Sequence, residues 1–204
     1  MTGPKTTKLP PGVDLAAVVA DAVARYGGAV DALVLIGGVA LQAYGIVRAT
    51  KDVNFAVTRA GSAAIERLAR AAGLQVSPLR IGGVSVRIGD TTADFIDRRV
   101  EAEALFLEAI DAARTGGFTV EAGSTSVLVV PLEYLVALKV VGVRPQDEAD
   151  VARLLRIDEL DYRGARAVVE RHLGGVAARH LDRAARLAGR SDAPPLYDDE
   201  NGSG

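Results

Sequence analysis

A short aliphatic run, Ala32 to Ile36, stops at Gly37 and Gly38, and a second strand-like segment carrying Asp52 and Asn54 follows soon after. A continuous apolar run of that length reads as a buried strand. Val39 to Tyr44 then reads as a short helix closed by Gly45. A buried strand that ends in Gly-Gly before a helix gathers backbone N–H groups and the positive helix end at one point, which suits a phosphate. Glycine belongs there because a β-carbon would block close approach. Taken alone, a Gly-Gly pair is also an ordinary tight turn.

The second strand, Val53 to Val57, adds chemistry. Residues two apart on a strand face the same way, so Asp52 and Asn54 share a face while Val53, Phe55 and Val57 face the core. Polar groups placed so either meet open water or hold a divalent cation that also touches phosphate oxygens. A further oxygen ligand is offered by Thr92 to Asp97. Asp94 lies between Ala93 and Phe95, as a carboxylate in an otherwise buried strand would. Asp97 points the other way or sits at the strand end, and either aspartate also reads as a strand-end residue.

The rest of the chain frames this pair. Its 204 residues suit one domain with a small helical appendage. Apolar residues make up 49% and aromatic ones only 4%, so the core is built from Val, Leu, Ala and Ile, which favours α/β or α+β packing. With no cysteine, thiol catalysis, disulfides and zinc–thiolate sites are excluded. His172 and His180 come late, on helix surfaces, so a metal here would be held by oxygen, which points to Mg2+ or Mn2+. The net charge of -2 is not that of a polyanion binder. The one local basic candidate is the series Arg163, Arg166, Arg171, Arg179, Arg183, Arg186 and Arg190, which equally reads as a solvated helix face. The N-terminus lacks the apolar stretch of a signal peptide, and Leu33 to Val47 is too short to span a bilayer, so a cytoplasmic protein with no membrane partner is expected.

Four regions are expected: a flexible Pro/Gly-rich arm over 1–12, an α/β core over 13–130, a helical part over 131–190 packed on that core, and a disordered acidic tail over 191–204. Asp14 is placed to cap a helix ending at Tyr26, before Gly27 and Gly28. Ala63 to Ala72 is an amphipathic helix opened by Gly61 and Ser62. Leu79 to Ile81, Val84 to Ile88 and Thr92 to Asp97 are strand-like, with Gly82-Gly83 and Gly89-Asp90 as turns. Glu101 to Arg114 is helical, and Phe118 to Val120 and Ser126 to Val130 are strands. Pro131 opens an almost wholly apolar helix from Leu132 to Val143, broken by Arg144 and Pro145. Helices over about 146–156, 162–173 and 176–188 complete the chain.

Gly37, Gly38 and Ala40, then Gly45, Arg48, Thr50, Asp52 and Asn54, together resemble the signature of the nucleotidyltransferase (polymerase-β-like) superfamily. The chain is most similar to the AbiEii-like toxins of type IV toxin–antitoxin systems, a likeness that also takes in Lys139, Arg144, Asp147 and Asp150. The resemblance implies an α+β fold in which a nucleotidyltransferase-like mixed sheet is flanked by helices and followed by a helical C-terminal part. It also implies transfer of a nucleotide from NTP to a hydroxyl of RNA, tRNA among them, or of protein, with Mg2+ or Mn2+, and a cognate antitoxin as partner. Gly37 and Gly38 would cradle the triphosphate, with Arg48 and Thr50 beside it. Asp52, Asn54 and Asp94 would form the metal set, with Asp94 acting on the incoming hydroxyl. Lys139, expensive on so apolar a helix, would reach phosphates or pair with a carboxylate. Asp147 and Asp150 would complete that network, although helix capping accounts for Asp147 as well. Asp97 is a secondary candidate.

Asn54 departs from the family pattern, which has a second aspartate there. An amide oxygen can touch a metal but brings no charge, so affinity and rate should fall. The residue fits a weakened or one-metal enzyme, an inactivating replacement, or a catalytically degenerate nucleotide-binding or regulatory protein of the same fold. A purely structural domain would require the whole constellation to be coincidence.

Overall fold

The computed structural model describes residues 6–8, 15–98, 102–116, 118–142 and 144–195. The chain divides into two compact units, Met1–Pro131 and Leu132–Gly204.

The first unit is built on one mixed sheet. Its strands are β1 (Thr6–Lys8), β2 (Val34–Ile36), β3 (Asp52–Ala56), β4 (Val76–Pro78), β5 (Val84–Ile88), β6 (Thr91–Ile96), β7 (Thr119–Ala122) and β8 (Thr125–Val129), in the order β1-β7-β8-β2-β3-β6-β5-β4. The helices are α1 (Leu15–Tyr26), α2 (Gly37–Ala43), α3 (Arg59–Ala71) and α4 (Glu103–Gly116). β2 runs parallel to β8 and β3 parallel to β6, while β2–β3 and β5–β6 are antiparallel.

Sequence alternation explains the sheet's two faces. Val53, Phe55, Ala93, Phe95 and Val86 have no exposed surface. Phe55 stacks on Phe95 with ring centroids 5.3 Å apart, and Tyr26 at the end of α1 meets Phe95 edge-on, also at 5.3 Å. Such pairs add about 0.5–1.5 kcal/mol each beyond their buried area. The residues between them, Asp52, Asn54, Thr92, Asp94 and Ser85, are half-buried and belong to the opposite face.

Several expectations shift. Thr6–Lys8, expected in a flexible arm, pair in parallel with Thr119–Glu121. Asp14 and Glu101 lie outside the described residues. α3 starts at Arg59 rather than after Ser62, because Thr58 caps it: the Gly61 N–H donates to Thr58 Oγ1 at 3.1 Å. Leu79 to Ile81 form no strand. Gly82 and Gly83, each at φ 99°, turn the chain there, closed by bonds from Leu79 N–H to Gly83 O and from Gly82 N–H to Leu79 O, both 3.0 Å. The strand before that turn is Val76–Pro78 instead.

The second unit holds α5 (Leu132–Val141), α6 (Pro145–Leu154) and α7 (Tyr162–Leu187). Val143, expected to end α5, lies outside the described residues. α7 is interrupted at Gly174, whose φ of 85° and ψ of 169° are not helical. The Tyr162 hydroxyl bonds to Asp182 Oδ1, and Arg166 Nε donates to both Asp182 oxygens at 2.9 and 3.2 Å. An unbroken helix would hold residues 162 and 182 about 30 Å apart. The two arms of α7 therefore fold back on each other about Gly174, as the expected helices over 162–173 and 176–188 require.

Arg190 secures the end of this hairpin. Its guanidinium donates to the carbonyls of Leu155, Ile157 and Leu160, each at 3.2 Å, and to both Asp192 oxygens at 2.8 Å. Arg186 donates to the Pro194 carbonyl, and Ala193 is buried. The segment expected to be a disordered tail is thus fastened as far as Pro194, and residues 196–204 lie outside the described ones. Arg166, Arg186 and Arg190 are all spent on these internal bonds, which thins the basic series on α7.

Candidate active site

The glycine turn and the polar strand are locked together by contact. A β-carbon on Gly38 would stand 2.7 Å from Thr50 Oγ1 and 2.8 Å from Thr50 Cβ. A β-carbon on Gly37 would stand 2.9 Å from Asn54 Nδ2, and Gly37 also has φ +66°. Gly37 thus meets both demands that select glycine, a left-handed backbone and an absent side chain. Thr50 is held in place by donating its hydroxyl to the Asp52 carbonyl at 3.2 Å. The loop carrying Arg48 is tied to α2 by the Gln42 side-chain amide, which donates to the Arg48 carbonyl at 2.8 Å. Ile36, the last residue of β2, pairs with Asn54 across the strands.

From Asn54 the polar face continues outward in two cross-strand rows. Asn54 pairs with Asp94, Asp94 with Ser85, and Ser85 with Ser77. Asp52 pairs with Thr92, and Thr92 with Arg87. Asp52, Asn54 and Asp94 therefore share one face of two adjacent strands. Burial pushes the Asp94 carboxyl above its ordinary range; the Ser85 hydroxyl, donating to it, draws it back, and the negative charge of Asp52 raises it further. A buried carboxylate beside another carboxylate is costly to ionise unless a cation joins them.

Asp97 sits just past β6, is 4% exposed, and by strand alternation falls on the face opposite Asp94. It does not join Asp52 and Asn54. Ser85, Thr92 and Arg87 were not singled out from the sequence. A signal for them existed: the two-residue turn Gly89-Asp90 sets Ile88 against Thr91, and counting back from there puts Ser85 opposite Asp94.

A second polar cluster lies within the helical unit. Lys139, 7% exposed on α5, holds Asp147 Oδ1 at 3.0 Å and Asp150 Oδ2 at 2.8 Å, both on α6. Arg144 Nε meets Asp147 Oδ2 at 3.0 Å, and Arg153 reaches Asp150 at 3.4 Å. Burial alone would raise the Asp147 carboxyl, but hydrogen bonds from Lys139 and Arg144 outweigh it and hold it below the ordinary range. Asp147 is thus an ion-pair partner rather than a plain helix cap. Lys139 is spaced from Asp147 and Asp150 so that one ammonium answers two buried carboxylates.

Among the described residues no group of three or more His, Cys, Asp or Glu is gathered as a metal site. Among the same residues no helix is long and apolar enough to cross a membrane.

Comparisons with known proteins bear on the family and the fold. The family described as nucleotidyl transferase AbiEii toxin, type IV toxin–antitoxin system, matches residues 24–199. No curated protein matches the chain. The solution structure of the antibiotic-resistance factor ANT(2'')-Ia is similar over 85% of this chain and 91% of that one, at 18% identity and a TM-score of 0.50. That likeness is one of fold, a nucleotidyltransferase-like mixed sheet flanked by helices.

Proposed function

The chain belongs to the family of AbiEii nucleotidyl transferase toxins of type IV toxin–antitoxin systems, and from that premise we propose that it transfers a nucleotide from NTP to a hydroxyl of RNA, slowed by Asn54. The observation that carries this reading is the contact between Gly37 and Asn54 together with the Asn54–Asp94 pairing, which gathers a phosphate turn, an amide and two carboxylates on one sheet face.

Gly37 and Gly38 stand in the first turn of α2, where backbone N–H groups have no acceptor within the helix and suit phosphate oxygens. The donor set of Asp52, Asn54 and Asp94 is all oxygen, which fits Mg2+ or Mn2+ in kind. With two carboxylates in place of three, it fits one cation better than two. Such an ion, when bound, would polarise the α-phosphate and neutralise charge on the departing group. Asp94 takes the proton from the attacking hydroxyl; the new bond forms to the α-phosphorus, and pyrophosphate leaves. Ser85 holds the Asp94 carboxylate in orientation through its hydrogen bond. Thr50 borders the glycine turn, Arg48 on the loop tied to α2 is the guanidinium offered to the phosphates, and Lys139 with Asp147 and Asp150 supports the helical unit. Toxin-family membership makes a cognate antitoxin the expected partner and the cytoplasm the expected place of action.

Incubation of the chain with labelled NTP, Mg2+ and total RNA tests the reading. Label enters RNA, more of it in Asn54→Asp and none in Asp52→Ala. Absence of incorporation by Asn54→Asp into RNA or protein sinks it. A second reading, a nucleotide-binding protein without chemistry, is favoured by the missing carboxylate alone. It predicts that calorimetry finds ATP binding equally tight with and without Mg2+.

A further inference from the structure

The polar rows do not end at Asp94. Beyond it, away from the glycine turn, Thr92, Ser85 and Arg87 continue the same sheet face across β6 and β5. In this strip Thr92 shares β6 with Asp94, and Ser85 and Arg87 lie one strand further out on β5, adjacent strands being about 4.8 Å apart. The core-facing residues between them, Ala93, Val84 and Val86, are buried, and the strip itself is half-buried at Ser85 and Thr92 and exposed at Arg87.

In-line displacement gives the strip a direction. The attacking and leaving oxygens stand on opposite sides of the α-phosphorus. If the leaving phosphates rest on Gly37 and Gly38, at the β2 side of β3, the attacking hydroxyl comes from the β6 side. Thr92, Ser85 and Arg87 line that side. Two hydroxyls and a guanidinium suit a sugar whose neighbouring group is a phosphate. They do not suit a polycation, which would need acidic groups; the Arg87 guanidinium is 3.8 Å from Asp90, a carboxylate so solvated that the pair holds it weakly.

Resting on the nucleotidyl-transfer reading, we propose that Thr92, Ser85 and Arg87 form the acceptor subsite, and that Arg87 selects an acceptor hydroxyl flanked by a phosphodiester. Arg87 is a specificity residue, distant from the reacting atoms, while Ser85 and Thr92 seat the terminal ribose.

The test measures binding to the full chain without turnover. A 5′-fluorescein single-stranded RNA of about ten nucleotides is titrated by anisotropy over a range of salt, and NTP binding with Mg2+ is followed by calorimetry. Arg87→Glu weakens RNA binding tenfold or more, Arg87→Ala less, and the slope of log affinity against log salt drops by about one. NTP affinity stays at the wild-type value in both. RNA binding unchanged in Arg87→Glu, while NTP binds normally, overturns the acceptor subsite alone. So does RNA and NTP affinity falling together, which would mean the sheet is damaged, unless Arg87→Lys restores RNA binding. Failure of the wild-type chain to bind NTP overturns the nucleotidyl-transfer reading instead. Labelling of protein by a chain that binds no RNA also overturns the subsite.

Discussion

Asn54 Nδ2 lies 2.9 Å from the point that a β-carbon on Gly37 would occupy. The Asn54 amide is therefore the packing partner of the glycine turn. Gly37→Ala meets both this contact and a φ of +66°, a conformation that costs an L-residue roughly 1–2 kcal/mol. Gly38→Ala meets Thr50 at 2.7 Å. Both variants lose NTP binding by calorimetry, and Gly37→Ala also melts earlier. Wild-type NTP affinity in Gly38→Ala would remove the turn from the phosphate site.

Asn54→Asp keeps the shape of the side chain and adds a charge beside Asp52 and Asp94. Mn2+ binding followed by electron paramagnetic resonance tightens, and transfer from NTP rises tenfold or more, equivalent to about 1.4 kcal/mol of barrier. The apo variant is less stable than the parent, because a third carboxylate repels the other two until the ion arrives. Equal Mn2+ affinity in the two chains would place Asn54 outside the metal site.

Lys139→Met leaves Asp147 and Asp150 buried without their shared ammonium. Breaking a buried pair in this way costs about 3–5 kcal/mol, to be read as a lower urea midpoint.

Asp147 adds a pH signature. Its carboxyl is held below the ordinary 3.8 in the fold, so its ionised form stabilises the native state. That contribution is fully present above the ordinary value and is lost as pH falls through the depressed one. Asp147→Asn is therefore less stable than the parent at pH 7, and the gap between their urea midpoints narrows as pH drops below about 4. A gap that stays constant down to pH 3 would contradict the ion-pair account.

Tyr162→Phe removes the hydroxyl that bonds Asp182 across the α7 hairpin, while Arg166 still holds both carboxylate oxygens. The loss is about 1–3 kcal/mol. Hydrogen exchange rises first on the arm from Gly175 to Leu187, since that arm loses its anchor.

What could be read in advance divides by the range of the interaction. The strand Val84–Ile88 and the break at Gly174 follow from local pattern and from glycine, and both are found as expected. Gly61 and Ser62 look as good a start for α3 as Thr58 does, and only the bond from Gly61 N–H to Thr58 Oγ1 separates them. Leu79 to Ile81 imitate a strand by alternation, yet two positive-φ glycines next to them turn the chain. Asp52, Asn54 and Asp94 were visible as types of residue. Asp52 and Asn54 also read as sharing a face of one strand; that Asp94 joins them depends on β3 lying parallel to β6, which no short window of sequence reveals. For Asp147 a network with Lys139 and a plain helix cap both fit the sequence, because a carboxylate in the first turn of a helix looks like a dipole partner until the lysine one helix earlier is seen to reach it.

The pairing of Leu35 with Val129 has a consequence for how the protein is made. β2, the strand that ends in the glycine turn, has β8 as its neighbour on one side, and β8 leaves the ribosome almost the whole first unit later. At about 5–20 residues per second, β2 waits several seconds as an open edge before the sheet closes beside it. The glycine turn is held against β3, made soon after it, while the other side of β2 stays uncovered until β8 is synthesised. Until β8 arrives, that edge of β2 is the part of the sheet most open to pairing with a wrong strand.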